Sequence, residues 1–467
     1  MDGKALPGNP LATEPIKKLI WKYAIPGIIT QIISALHNIV DQVFVGWGIG
    51  DNGIAATNIV FPLTSVVIAL STLLGIGAAA RFSILLGKGE TEDAAKIIGT
   101  SISWMVLLGV VVTVVTSVCM EPMLYLFGAT DLIMPYAAPY ARLICIGLFF
   151  GVLSSGLSYF IRADGEPKFA TYVLVAGAVF NMVFDPIFLF IFDMGMSGIA
   201  LATLLGQLLS TVLAAYYMLK RFHSVKLQSR HLRPRAVETA TIFSLGIAVF
   251  TTHILAMIAQ IVQMNGLKTY GALSPYGSEI TIAAAGAVGK IIIVLLASVI
   301  GIAIGCQPIY GFNLGQKRYG RVRETYLTVL RYGTVISAAA FLLVQLFPRQ
   351  ILRMFGSENE LFYVFGAHYI HIFLACIFLN ALQPITSNFC TAMGKANLAF
   401  WLAVLRQGIL LIPLLLLLPK VFGIDGVLLS GAISDGVTAI VVLWVGLREA
   451  KNLTKLQAAQ EQTAQQP

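Results

Sequence analysis

The chain has 467 residues, 57% of them hydrophobic and 11% charged, with a formal net charge of +9. A soluble domain of this length carries roughly a quarter charged residues, so the composition excludes an ordinary soluble fold. The basic excess does not point to nucleic acid either, because Lys and Arg sit in short loops between apolar runs rather than in one patch.

Residues 1–15 are polar and Gly/Pro-containing, and they read as a tail. They lack the apolar core and cleavage site of a secretory signal, so the first span is expected to serve as its own insertion signal. Six apolar runs follow at 16–46, 54–86, 93–118, 131–162, 167–190 and 195–220, each long enough to cross a ~30 Å hydrocarbon core. Several exceed the ~20 residues needed and should tilt or project beyond the bilayer. These runs form a first half, 16–221.

Within it, span one carries Gln31, Ser34, Asn38 and Asp41 at spacings of three and four, which is a single polar stripe bordered by His37. Span five carries Asn181 and Asp185, i and i+4 on one face. Pro186 follows at once and has no N–H, so the Met182 carbonyl loses its helical partner. Two carboxylates, an amide oxygen and a bare carbonyl suit a hard cation. The same cluster suits a proton, because burial and a second carboxylate both favour the uncharged acid.

A basic linker, 222–235, leads to six more runs at 236–265, 280–314, 320–346, 359–392, 396–418 and 424–447. They make a second half, 236–449, followed by a polar tail, 450–467. This half is polar without a matching acidic cluster. Span seven carries Thr252, His253, Gln260 and Gln263, and span ten carries Asn380, Gln383, Ser387 and Thr391 at helical spacing. Its one intramembrane acid is Asp435, and Lys290 and Arg406 are expected to meet it or helix carbonyls. Arg142 is a third mid-span cation. The five cysteines show no CxxC spacing and read as packing residues.

Of the 31 Lys and Arg, four fall in odd-numbered loops, three fall mid-span, and the remaining 24 lie at the termini or around the even-numbered loops. The positive-inside rule therefore places both termini and the linker in the cytoplasm, and twelve spans satisfy it. The halves also repeat. "LLGKG" at 85–89 matches "NLGQK" at 313–317, "MLYLFG" at 123–128 matches "ILRMFG" at 351–356, and "MGMSGIALAT" at 194–203 matches "VFGIDGVLLSG" at 421–431. Most offsets are 228 residues; within spans one and seven the offset is nearer 220, implying an eight-residue insertion near Tyr270–Ser278. Six spans per half give both halves the same polarity, so a pseudo-two-fold axis runs along the membrane normal with a substrate path between the lobes.

"HNIVDQVFVG" at 37–46, "NMVFDPIFLFIFDMGMSGIALAT" at 181–203 and the parallel 6+6 repeat resemble the multidrug and toxic compound extrusion (MATE) family, and within it the bacterial MepA-like branch. The likeness runs from about Ile16 to Glu449. It implies a V-shaped pair of lobes in a bacterial cytoplasmic (inner) membrane. It further implies a monomer, without cofactor, exporting drug-like organic cations in exchange for Na+ or H+. Carried over by position, the family's cation site is Asp41, Asn181, Asp185 and Thr203. Asn38, His37, Met257, Gln260, Asn380, Gln383 and Tyr159 are candidates for the substrate cleft, with Met264, Phe150 and Phe188 as further apolar contacts. A flippase for a lipid-linked precursor is the rival within related folds, kept open by the mid-span cations. A non-transporting scaffold or receptor is the rival outside them. No nucleotide loop, metal spacing or nucleophile triad points to an enzyme.

Overall fold

A long apolar run in a bilayer has no backbone partner except itself, so each is expected to close its hydrogen bonds within one helix. The computed structural model, which describes residues 10–354 and 359–465, follows that rule, with no strand among the described residues. Among the described residues, eleven helices are long and apolar enough to span: Ile16–Gly48, Asn52–Lys88, Thr91–Val118, Met134–Ala163, Pro167–Ile191, Gly195–Lys220, Ala236–Ala272, Ser278–Gly315, Tyr319–Leu346, Ala396–Phe422 and Ile424–Thr463. The remaining span, the tenth, is broken: Glu360–Phe373 and Ile377–Ala392 meet at a 47° bend.

Three spans depart from expectation. Span seven stays helical to Ala272 because its last turns pack on span eight, where a Cβ at Gly271 would strike Thr281. The inserted residues are thus shared between a longer helix and a longer loop. Span twelve runs on to Gln465, held by buried Ala450 and Leu453 and by Gln457 lying against Gly320. Span ten, expected as one helix, unwinds around Leu374–Asn380. Asn380 therefore does not continue the helical stripe of Gln383, Ser387 and Thr391.

The repeat is visible in the backbone. Left-handed φ occurs at Gly50 and Gly277 (84° and 76°), Gly89 and Lys317 (78° and 57°), Gly165 and Gly394 (106° and 75°), and Gly195 and Gly423 (56° and 58°). Each pair marks the same joint in the two halves. Glycine takes this conformation without a Cβ penalty, which Lys317 cannot avoid. The 355–356 copy of the Phe-Gly repeat lies outside the described residues. The fifth span of each half also widens into π-helix, Ile187–Ile191 directly after Pro186 and Leu405–Leu411 just before Pro413.

The halves close on each other at the end carrying the linker. There the helices cross at glycine, which lets backbones approach. A Cβ at Gly27 would strike the Gly301 carbonyl, one at Gly305 would stand 2.6 Å from the Tyr23 carbonyl oxygen, and Gly87 faces Phe312 and Gly315. Gly77 and Gly246 make the same close contact between spans two and seven. The buried core is continuous across both halves here, whereas the far half of spans seven, eight, ten and twelve forms a separate cluster around Phe365, Tyr369 and Val427. The lobes therefore part toward the far end.

Residues 10–14, just before span one, are held in place. Pro10–Thr13 is a short helix with Leu11 and Ala12 buried. Arg318 donates to the Ala12 carbonyl at 2.5 Å, Arg321 to the Glu14 carbonyl at 2.8 Å, and Asn313 to the Leu11 carbonyl at 3.3 Å. The linker is anchored too. Buried Asp164 accepts from Tyr217 Oη at 2.7 Å and from the Ser224 and His223 N–H groups at 2.9 and 3.3 Å. Glu92 meets Arg230 and buried His231, each at 3.2 Å.

Candidate functional site: an acidic cluster in the first half

Asp41 lies near the far end of span one and Asp185 near the far end of span five, so both reach the level where the lobes part. Their i, i+4 neighbours are set by helix geometry. His37 Nδ1 stands 3.3 Å from Asp41 Oδ1, and Asn181 Nδ2 donates to Asp185 Oδ1 at 3.0 Å. The same amide nitrogen donates to Thr203 Oγ1 at 3.0 Å, while Thr203 bonds back to the Ile199 carbonyl at 3.1 Å. The four residues expected to act together do come together.

The cluster is dry. Asp185 is fully buried and Asn181 is 2% exposed. The Asp41 and Asp185 carboxyl groups are within hydrogen-bonding reach of each other. Asp41 Oδ1, Asp185 Oδ2 and Asn181 Oδ1 are nevertheless buried without a hydrogen-bond donor.

Tyr140 of span four, which pattern reading passes over, is buried within electrostatic range of both acids. It sits in an apolar run with only the preceding Pro139 to mark it. Gln207 was also missed. It lies one turn beyond Thr203, and its Oε1, buried without a donor, points at Gly147 and Gly151 of span four. A ladder of Phe180, Phe184, Phe188 and Phe192 climbs the neighbouring face of span five, the first pair stacked and the next two tilted, with centroids 4.2, 5.6 and 6.1 Å apart. Only Phe188 was singled out by sequence.

The substrate-cleft candidates are scattered. Asn38 is exposed and donates to the Ser34 carbonyl at 2.8 Å. Tyr159 lies toward the linker end, packed on Gly75 with Arg162 5.7 Å from its ring centroid. Met257, Met264, Gln383 and Phe150 are half-buried, and Gln260 is exposed. Gln263 is tied to Tyr369 Oη at 2.6 Å.

Of the mid-span cations, Arg406 does meet Asp435, Nε to Oδ1 at 2.7 Å. Lys290 does not. It is half-buried on span eight, away from Asp435, whose oxygens are taken by Arg406 and Asn380. Arg142 is exposed two turns inside span four, where a long side chain can carry its charge toward the interface. Among the described residues, no group of three or more His, Cys, Asp and Glu is arranged to hold a metal ion.

The MatE family profile matches residues 26–187 and 269–417. The chain is similar to the multidrug export protein MepA of Staphylococcus aureus, 23% identical over 433 residues that cover 92% of this chain and 93% of that protein. It is similar in structure to an outward-facing conformation of a multidrug resistance MATE family transporter of the MOP superfamily. The TM-score there is 0.89 at 23% identity, covering 97% of this chain and 100% of the other. It is also similar to a MOP superfamily transporter from Pyrococcus furiosus described as having a binding pocket of reversed polarity. That TM-score is 0.89 at 23% identity, covering 97% of this chain and 99% of the other. These likenesses agree with twelve membrane helices arranged in two six-helix lobes.

Proposed function

This chain belongs to the MatE family of membrane transporters, and from that premise we propose that it is a secondary active multidrug exporter driven by inward Na+ or H+. The observation that carries the reading is the pair of neighbouring carboxylates, Asp41 and Asp185, with Asp41 Oδ1, Asp185 Oδ2 and Asn181 Oδ1 each buried without a donor. Thr203 completes the cluster through Asn181. A monovalent cation or a proton satisfies these oxygens, and drug-like cations are the cargo suited to an acidic wall beside an aromatic ladder.

The lobes rock about their glycine crossings, so the cleft opens alternately to the two sides. An ion entering from outside binds Asp41 and Asp185 and changes how spans one, five and six pack, which releases cargo outward. It biases the two states only by its differential affinity for them. The protein sits in the bacterial cytoplasmic membrane as a monomer, with both termini and the basic linker inside.

A flippase for a lipid-linked precursor is the second reading, favoured by half-buried Lys290 on span eight. It is weakened by Arg406, whose charge is already committed to Asp435.

The deciding experiment is efflux of an organic cation from vesicles, with the Na+ and pH gradients imposed separately. One gradient alone should drive uphill flux. Flux indifferent to both would sink the antiporter reading.

A further inference from the structure

Among the described residues, Asp435 is the one acid at mid-span in the second half, and its environment is the opposite of that of Asp41 and Asp185. Both of its oxygens are engaged, Oδ1 by Arg406 Nε at 2.7 Å and Oδ2 by Asn380 Nδ2 at 3.1 Å. Ser434 next to it donates to the Arg406 backbone carbonyl at 2.9 Å. Asp435 is 4% exposed.

Two irregular segments and one regular helix converge on this carboxylate. Arg406 lies in the π-helical stretch Leu405–Leu411 of span eleven, Asn380 lies in the break of span ten, and Asp435 lies on span twelve. Broken and bulged membrane helices commonly mark sites in transporters, because they turn polar groups inward at mid-membrane. The first half handles the same joint differently. The repeat position of Asp435 is Gln207, and spans five and six meet there through glycine, with Gly177 against Gly206 and Ser210 donating to the Val173 carbonyl at 2.9 Å.

We infer that Arg406 is a tethered cation: it permanently occupies the second lobe's buried carboxylate and so keeps that lobe from taking a coupling ion. This rests on the antiport reading above and deepens it, by assigning the residue that confines ion coupling to the first lobe. Arg406 is a positioning residue. Its guanidinium ties span eleven to span twelve and, through Asp435 and Asn380, to span ten. An exchangeable ion would let these helices repack on each cycle, whereas a covalently attached one cannot leave. The groups facing Asp435 are Arg406 from span eleven and Asn380 and Cys376 from span ten, and of the charged ones Arg406 alone is a cation.

The test is the melting temperature of the purified full-length protein, titrated with Na+ at fixed pH and with pH at fixed Na+. Wild type should show one cation-dependent rise, lost in D41N/D185N. Adding Arg406→Gln to that double variant should restore a cation-dependent rise, and adding Asp435→Asn should remove it again. A folded R406Q protein without the new rise would overturn the inference, because a merely structural ion pair predicts none. So would loss of the wild-type response in D435N alone. If R406Q does not fold, the neutral pair R406Q/D435N decides, since it should transport with the wild-type ion-to-drug ratio; a changed ratio overturns the proposal. Absence of any cation response in wild type would instead sink the antiport reading, and the R406Q contrast would still be legible.

Discussion

Asn181 and Asp185 are joined by a 3.0 Å hydrogen bond in which one amide nitrogen also serves Thr203, so a single side chain orients both span five and span six toward Asp41. Replacing Asn181 by Leu leaves the Asp185 carboxylate without its donor. A lost hydrogen bond to a buried charged group costs about 1–3 kcal/mol. We expect the half-saturating ion concentration for efflux to rise roughly tenfold or more. Asp41→Asn and Asp185→Asn should go further and abolish ion-driven efflux while leaving the protein folded. Wild-type ion-driven efflux by either variant would remove these acids from the mechanism.

The lobe crossing at Gly27 and Gly301 allows no side chain. Gly27→Leu or Gly301→Val should therefore disfavour closure at the linker end, because overpacking a close contact costs about 1–3 kcal/mol or more. Cysteine accessibility at the two ends of the cleft is the measurement. The expected result is increased labelling near the linker and decreased labelling at the far end, with transport reduced. Unchanged labelling would mean that the crossing does not govern which side is open.

Lys317 occupies the left-handed position that Gly89 occupies in the first half, at φ 57° against 78°. Lys317→Gly should raise stability by about 0.5–1 kcal/mol, since the relief of the Cβ clash exceeds the entropy glycine adds to the unfolded chain. Gly89→Ala should do the reverse. Thermal melting in detergent measures both, and a lowered Tm for K317G would contradict the assignment of strain.

Arg321 holds the segment before span one through the Glu14 carbonyl and Asn313 Oδ1, at 2.8 and 3.0 Å. Arg321→Ala should free residues 10–14 from the second half and hasten proteolytic cleavage there. Cleavage at the wild-type rate would show that Arg318 and Asn313 suffice.

Much of this architecture is legible in the amino-acid order, because a bilayer leaves the backbone few choices. Apolar run length and loop charge suffice to count the spans. The helical period alone brings Asn181 beside Asp185 and His37 beside Asp41. What escapes is whatever depends on contacts between distant segments. The break in span ten has no proline at Leu374–Asn380 to announce it, and the Asn380 side chain at its end is held by Asp435, 55 residues away. Tyr140 comes near the acidic cluster only because span four packs against spans five and six. Lys290 and Arg406 look alike in sequence, and only packing shows which one reaches the acid.

Span twelve continues without a hinge to Gln465, braced at Leu453 and Gln457 against the start of span nine. Beyond Arg448 the helix extends about 25 Å at ~1.5 Å per residue. It behaves as a pointer fixed to the second lobe, so a rocking of roughly ten degrees would sweep its tip by about 5 Å. A fluorophore placed there, paired with one on the basic linker anchored to the first lobe, would report the transport cycle as a change in distance without touching the cleft.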